Sequence, residues 1–284
     1  MATLLSSKVR DLSGLSVNRI LPNIKKRMVG PFIFLDHMGP IDLIANEGLD
    51  VKPHPHIGLS TMTYLLEGSL LHQDSLGNII EIMPGDVNLM TAGKGIVHSE
   101  REPLKLRSIQ HRVNGIQCWI ALPKCKGEIE PFFQHISRSN LSIFEEDGVS
   151  MTLVAGSAFG LHSALNTFSP LFFLDIKAIA GSIIQRPEPE YECMLYILKG
   201  DLTTDKERFK KGQILLLNKE MSFKTSTDVR CLMLGGKAWE NIPFIEWNFV
   251  SFHQAVIEQA KIDWHERRFP EIPSDNTEFT PLPN

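Results

Sequence analysis

The chain has few cysteines, no long apolar run and no surplus of positive charge, and each shortage removes a class of protein. Its four cysteines (Cys118, Cys125, Cys193, Cys231) stand far apart, with no CxxC pair and no dense framework. That excludes a small disulfide-held secreted scaffold and predicts reduced, mostly buried thiols. No apolar stretch approaches the ~18–20 residues that span a bilayer. The opening MATLLSSKVRDLSG meets charge too early to contain the apolar centre of a signal peptide. The expectation is a soluble, cytoplasmic protein with no membrane partner. With 29 basic and 33 acidic side chains the net charge is −4, so no broad positive field exists to draw in nucleic acid. The short cluster Lys25-Lys26-Arg27 reads as a solvated turn.

What is present is strand-and-turn text. Between Gly30 and Leu234, short apolar or alternating runs such as MTYLLEG, NIIEIMPGD, VNLMTAG and IQCWIALP are cut by Gly, Pro, Asn and Asp. This punctuation predicts an antiparallel barrel or sandwich. The polar, weakly patterned segment 135–150 is the candidate linker. Tyr64-Leu65-Leu66-Glu67-Gly68 has a counterpart 132 residues on, in Tyr196-Ile197-Leu198-Lys199-Gly200, and MPGDVNLM (83–90) is echoed by KKGQILLL (210–217) at an offset of 127. Two similar units in the same order predict a duplicated barrel. Near the end, Phe252, Ala255, Val256, Gln259, Ala260 and Trp264 follow a helical rhythm after Ser251, a candidate N-cap. A helix over about 251–267 is expected, packed through Phe252, Val256 and Trp264, followed by an extended Pro-rich tail.

The chemistry gathers in two short motifs. In His54-Pro55-His56 the histidines are two apart, so a strand projects both from one face. Pro55 lacks an N–H, which places the segment at a strand start or edge. His98-Ser99-Glu100 follows after 42 residues, enough for an out-and-back set of strands, and again offers two groups on one face. If the two strands face each other, three nitrogens and one carboxylate converge on a single ion. Gly85 and the Gly93-Lys94-Gly95 pair allow sharp turns just before the second motif. Such a set suits several first-row ions, and open octahedral positions suit non-haem Fe(II), with Mn, Co, Ni, Cu and Zn as alternatives. Gly58, Gln117 and His72 could shape the same pocket, although each reads first as an ordinary residue: a turn glycine, a satisfied strand amide and a surface histidine beside the Asp74–Gly77 turn.

Residues 54–100, HPHIGLSTMTYLLEGSLLHQDSLGNIIEIMPGDVNLMTAGKGIVHSE, closely resemble the pirin family of the cupin superfamily. Gly30-Pro31-Phe32 with Leu35-Asp36-His37, and Gly115 to Pro123, resemble the same family, strongly over about residues 28–134 and more loosely beyond. The resemblance implies an all-β bicupin: two cupin-like antiparallel barrels of jelly-roll type with a C-terminal α-helix. With the linker and helix read above, the chain divides into a metal-binding barrel at 1–134, a degenerate barrel at 150–250, and the helix and tail at 251–284. His54, His56, His98 and Glu100 are its implied metal ligands. One departure is clear, since pirins commonly read HPHxGFE and this chain has Leu59-Ser60 at the last two places. In the second unit Arg186 and Glu188 stand where His54 and His56 would, and Lys224 and Thr225 lie opposite, so that barrel is expected to keep the fold without the ion.

Two functions follow from the resemblance. One is a flavonol (quercetin) 2,3-dioxygenase, an iron-dependent oxidoreductase in which Glu100 doubles as catalytic base. The other is a non-enzymatic, redox-sensing iron protein that binds a transcriptional regulator or a metabolic enzyme.

Overall fold

Residues 2–12, 15–46, 48–219 and 221–283 are described in a computed structural model. The chain pairs into antiparallel strands; long central ones such as Leu59–Glu67, Val87–Thr91 and Leu171–Ala178 are almost continuously buried, while buried and exposed residues alternate in short ones such as Ser222–Thr225. Among the described residues there is one α-helix, α1 (Gln254–His265), and it is too short and polar to cross a membrane.

Two compact units interleave in sequence. One comprises Val9–Arg19, Phe34–Arg138 and Glu240–Asn284; the other comprises Met1–Lys8, Ile20–Ile33 and Ser139–Trp239. This differs from a contiguous division at 1–134, 150–250 and 251–284. Thr3–Leu5 pairs with the strand Ile214–Leu217, where it occupies a sheet edge and buries Leu5. The residues after 240 belong to the histidine-bearing unit because α1 turns Ile257, Ala260 and Trp264 onto Ile57 and Val97 of that unit.

The histidine-bearing unit has two main sheets, beside the two-stranded pair Phe244–Glu246 and Phe249–Ser251. The larger runs in the order Phe132–Ile136, Val87–Thr91, Leu59–Glu67, His111–Ala121, Phe32–Leu43, Leu15–Leu21, Lys8–Leu12. The smaller runs Asp50–His56, Ile96–Arg101, Leu70–Asp74, Ile79–Ile82. Asp50–His56 is an edge strand, which accommodates Pro55. The other unit repeats the scheme with an eight-stranded and a four-stranded sheet around a core that includes Phe172, Phe209, Phe223 and Met233.

The repeat seen in the sequence is also a repeat of register. Tyr64 pairs with Val87 in one unit and Tyr196 with Ile214 in the other. The Gly85 amide donates to Leu65 O at 2.7 Å, and the Gly212 amide to Ile197 O at 2.8 Å. Both glycines are left-handed, at φ 88° and 85°, a conformation that costs side-chain-bearing residues about 1–2 kcal/mol.

Two expectations are corrected. The segment 135–150 is not a plain linker, because Ser142–Glu146 forms a strand that pairs with Val149–Ala158 at the sheet edge. The helix begins later than 251: Ser251 ends the strand Phe249–Ser251, its hydroxyl accepts from the His253 amide at 3.1 Å, and His253 is the N-cap without a side-chain cap bond. The buried stripe is accordingly Ile257, Ala260 and Trp264, with Val256 partly buried and Ala255 and Gln259 exposed. The tail beyond α1 is extended but fixed, with Ile272, Phe279 and Leu282 packed on the same apolar cluster.

Trp264 is 5% exposed and donates its indole N–H to Thr280 O at 2.9 Å. Trp264→Ala should cost about 3–5 kcal/mol by loss of packing, read as a lowered urea midpoint of the histidine-bearing unit. A change under about 1 kcal/mol would mean that the helix does not belong to that unit's core.

Candidate metal centre

The centre is built where two strands of the smaller sheet face each other. His98 of Ile96–Arg101 lies directly opposite His54, and Ile96 lies opposite His56. Strand alternation puts His54, His56 and His98 on one face, and one nitrogen from each ring lies within 4.8 Å of the others. Ring centroids are 4.4 Å apart for His54 and His98, and 5.0 Å for the two other pairs. His56 and His98 are buried, while His54 is partly exposed.

Carbonyl groups fix two of the rings. His54 Nδ1 lies 2.8 Å from Lys52 O and His56 Nδ1 lies 3.3 Å from Asn248 O. Each Nδ1 must therefore carry the proton and donate, which leaves the lone pair on Nε2. His56 Nε2 stands 3.1 Å from His98 Nε2, and His98 Nδ1 is buried without a partner. Whichever nitrogen of His98 is protonated, one lone pair is left uncompensated. A cation among the three rings resolves that conflict, so the residues fit a bound metal.

Electrostatics favour the same state. Burial pushes the His54 imidazole down to about 4, against a backbone hydrogen bond that favours its charged form. Burial, and then the neighbouring imidazoles, push His56 and His98 well below the ordinary histidine range. All three are neutral near pH 7 and need lose no proton to accept an ion.

Glu100, expected as a fourth ligand, is not part of the triplet. It follows His98 by two residues on the same strand, but a register shift sets it opposite Val51 on one side, while His72 lies opposite on the other. Its carboxylate is buried and lies within hydrogen-bond reach of the Thr63 hydroxyl at 3.1 Å. That hydroxyl is also 2.8 Å from Gln117 Oε1. Burial raises the Glu100 pKa above the usual carboxylate range, opposed by His72 and Thr63.

His72 is not a surface residue. It is 4% exposed, its centroid is 5.4 Å from that of His98, and its ring stacks on Phe133 at 4.5 Å. Asp74 holds it, with Oδ2 3.1 Å from Nε2, and the other Asp74 oxygen accepts from the Leu76 and Asn78 amides. The signal in the sequence was alternation: His72 and Asp74 share one face of Leu70–Asp74, next to the strand that carries His98. Trp119, which sequence reading passed over, packs edge-on to His56 at 5.2 Å and stacks on Phe34 at 4.1 Å. Ser60 sits in the same strand region and pairs its hydroxyl with that of Thr91 at 2.9 Å. Gly58 is left-handed and so close to Val250 O that a side chain there would collide with it, so this position requires glycine. A cavity of about 600 Å³ reaches Ile57 and Gly58 but none of the three histidines.

In the other unit Arg186 is buried and bonds the carbonyls of Leu217, Asn218, Glu188 and Tyr191. Glu188 and Lys224 are exposed, and Thr225 is buried. Among the described residues, the three-histidine group is the one convergence of metal-ligating side chains found.

Comparison with known proteins agrees with this architecture. A family profile described as Pirin matches residues 14–120, and one described as the Pirin C-terminal cupin domain matches residues 173–270. A pirin-like protein of Caulobacter vibrioides is 42% identical over 279 residues, 96% of each chain. The structure of a quercetin 2,3-dioxygenase from Acinetobacter baumannii superposes with a TM-score of 0.91 at 32% identity, covering 100% of this chain and 95% of that one. A pirin from Escherichia coli, solved in complex with nickel(II), shares the fold at a TM-score of 0.65 and 20% identity, over 84% of this chain and 100% of that one.

The depressed imidazole pKa values set a pH dependence for the metal-free protein. Unfolding returns each ring to about 6.5, so between that value and about 4 for His54 the unfolded chain binds more protons than the folded one. Stability should be full above pH 7 and fall as pH is lowered below about 6.5, with a slope of up to about 1.4 kcal/mol per pH unit for each imidazole. Urea titrations of metal-free protein from pH 7.5 to 5 measure it. A flat profile there would show that the rings are not held neutral.

Proposed function

Since the chain belongs to the pirin family of bicupins, we propose that His54, His56, His98 and Glu100 hold one divalent ion, iron(II), and that the site cleaves a flavonol such as quercetin with dioxygen. The observation that carries this reading is the convergence of three neutral imidazoles, with an uncompensated lone pair among them, beside a buried carboxylate on the same strand. The likeness to a quercetin 2,3-dioxygenase structure supports the substrate class. Three imidazoles and one carboxylate leave open positions on an octahedral ion.

When bound, the ion lowers the pKa of a coordinated hydroxyl and offers positions for small oxygen ligands. The protein's own groups supply the rest. Lys52 O and Asn248 O hold the rings of His54 and His56 with Nε2 turned inward. Glu100 takes the proton of the flavonol 3-hydroxyl. Its raised pKa makes it a better acceptor than an ordinary carboxylate, and Thr63 is placed to steady Oε1. Trp119, stacked on Phe34, gives an apolar wall beside His56 suited to a flat aromatic ring. Over the whole reaction the flavonol gains both atoms of dioxygen, loses one carbon as carbon monoxide, and leaves as a depside.

Iron-loaded protein should contain about one ion per chain, consume oxygen with quercetin and release carbon monoxide in equal amount. His54→Ala or His98→Ala should lose most of the ion while both units stay folded, since each packs its own apolar core. Glu100→Gln keeps an oxygen for the ion but cannot accept a proton, so turnover per bound ion should fall about 10²–10⁴-fold. Full turnover per ion in that variant would move the base elsewhere. No oxygen uptake with iron, manganese, cobalt, nickel or copper would refute the dioxygenase reading in favour of a redox-sensing protein with a protein partner.

A further inference from the structure

Ligand strands need something to hold them, and here part of that support comes from residues 174 to 228 positions later in the chain. The Asp275 carboxylate accepts from Ser99 Oγ at 2.7 Å and from Arg101 Nε and Nη2 at 2.8 and 2.9 Å. Ser99 lies between His98 and Glu100, and Arg101 follows Glu100. In a strand, residues 98 and 100 point one way and 99 and 101 the other, so one carboxylate grips the reverse face of the ligand pair. Ser99 is fully buried and Asp275 is 10% exposed, so this contact is largely removed from competing water.

The facing strand is held by the same tail. The Thr280 amide donates to Pro53 O at 2.8 Å, and its hydroxyl lies 3.3 Å from Lys52 O. Lys52 O is the carbonyl that accepts from His54 Nδ1. Asn248 O, the acceptor for His56, comes from the segment just before α1. The tail is anchored in turn: Trp264 donates to Thr280 O, Phe279 packs on Trp264, and the Arg267 guanidinium lies 3.3 Å over the Phe279 ring.

We infer that Asp275 and Thr280 are positioning residues of the metal centre, which together with Asn248 O clasp the two ligand strands from behind and set how firmly the ion is kept. The inference rests on the metal reading proposed above. The tail's apolar residues, Ile272, Phe279 and Leu282, already account for its packing. The polar contacts at Asp275 and Thr280 reach specifically to the residues that flank or orient ligands.

Cobalt(II) provides a probe that needs no substrate. Wild-type protein and the variants Asp275→Asn, Thr280→Val and Leu282→Ala are loaded with cobalt, and stoichiometry, visible d–d absorption and the rate of cobalt loss to excess chelator are measured. The wild type should bind about one ion. Asp275→Asn should release it about 10–100-fold faster, with a shifted d–d band, as outer-shell changes do; Thr280→Val should move both in the same direction by less. Leu282→Ala trims the tail's packing alone and should leave spectrum and release rate near wild type. Unchanged release and spectrum in Asp275→Asn, or equal acceleration in Leu282→Ala, would overturn the positioning role while leaving the metal reading intact. Failure of the wild type to bind one cobalt ion would instead overturn the metal reading, and this inference with it.

Discussion

Three imidazoles can share one buried point only while they are uncharged, because two protonated rings at 4.4–5.0 Å would repel strongly where water cannot screen them. Neutral rings, however, leave lone pairs facing lone pairs. The rest of the centre follows from this constraint. The carbonyls of Lys52 and Asn248 pin protons on the outward nitrogens of His54 and His56, and the inward nitrogens are left with a shared need for a cation. A β-sheet suits the task, since pairing His54 against His98 sets ring separation by strand spacing rather than by flexible side chains.

The other unit shows what the same frame does without that constraint. Its equivalent glycine turns and strand registers are preserved, so the barrel geometry does not depend on metal ligands. At the position matching His54, Arg186 uses its guanidinium to bond four backbone carbonyls. One site thus gathers groups that want a positive charge, and the other contains a positive charge that ties loops together. Duplication has kept the scaffold while reversing the electrostatics of its pocket.

Much of this was legible in the residues themselves. The alternation in His54-Pro55-His56 and His98-Ser99-Glu100 fixed which side chains share a face, and the two strands do face each other. The Tyr-x-x-x-Gly echo marked equivalent strands down to their hydrogen-bond register. What sequence could not convey was long-range: nothing local marks Thr3–Leu5 as an edge strand on Ile214–Leu217, or Asn248 as the acceptor for His56. His72 was misjudged because a turn-flanking histidine is usually exposed, whereas here Phe133 and His98 cover it. The start of α1 was misplaced because Ser251 has the chemistry of a cap but is used by a strand. The register shift between His98 and Glu100, which sets Glu100 opposite Val51, has no local signature at all.

The late origin of the clasp bears on how the protein matures. A chain is made from its N-terminus, and domains tend to fold as they emerge. All four candidate ligands are therefore synthesised, and able to meet metal ions, before Asn248, Asp275 and Thr280 exist. An ion arriving early would find histidines whose rings are not yet oriented and a ligand strand not yet held from behind. A loose set of donors thus becomes a defined one only after Asn248, Asp275 and Thr280 have been made and lie against the two strands.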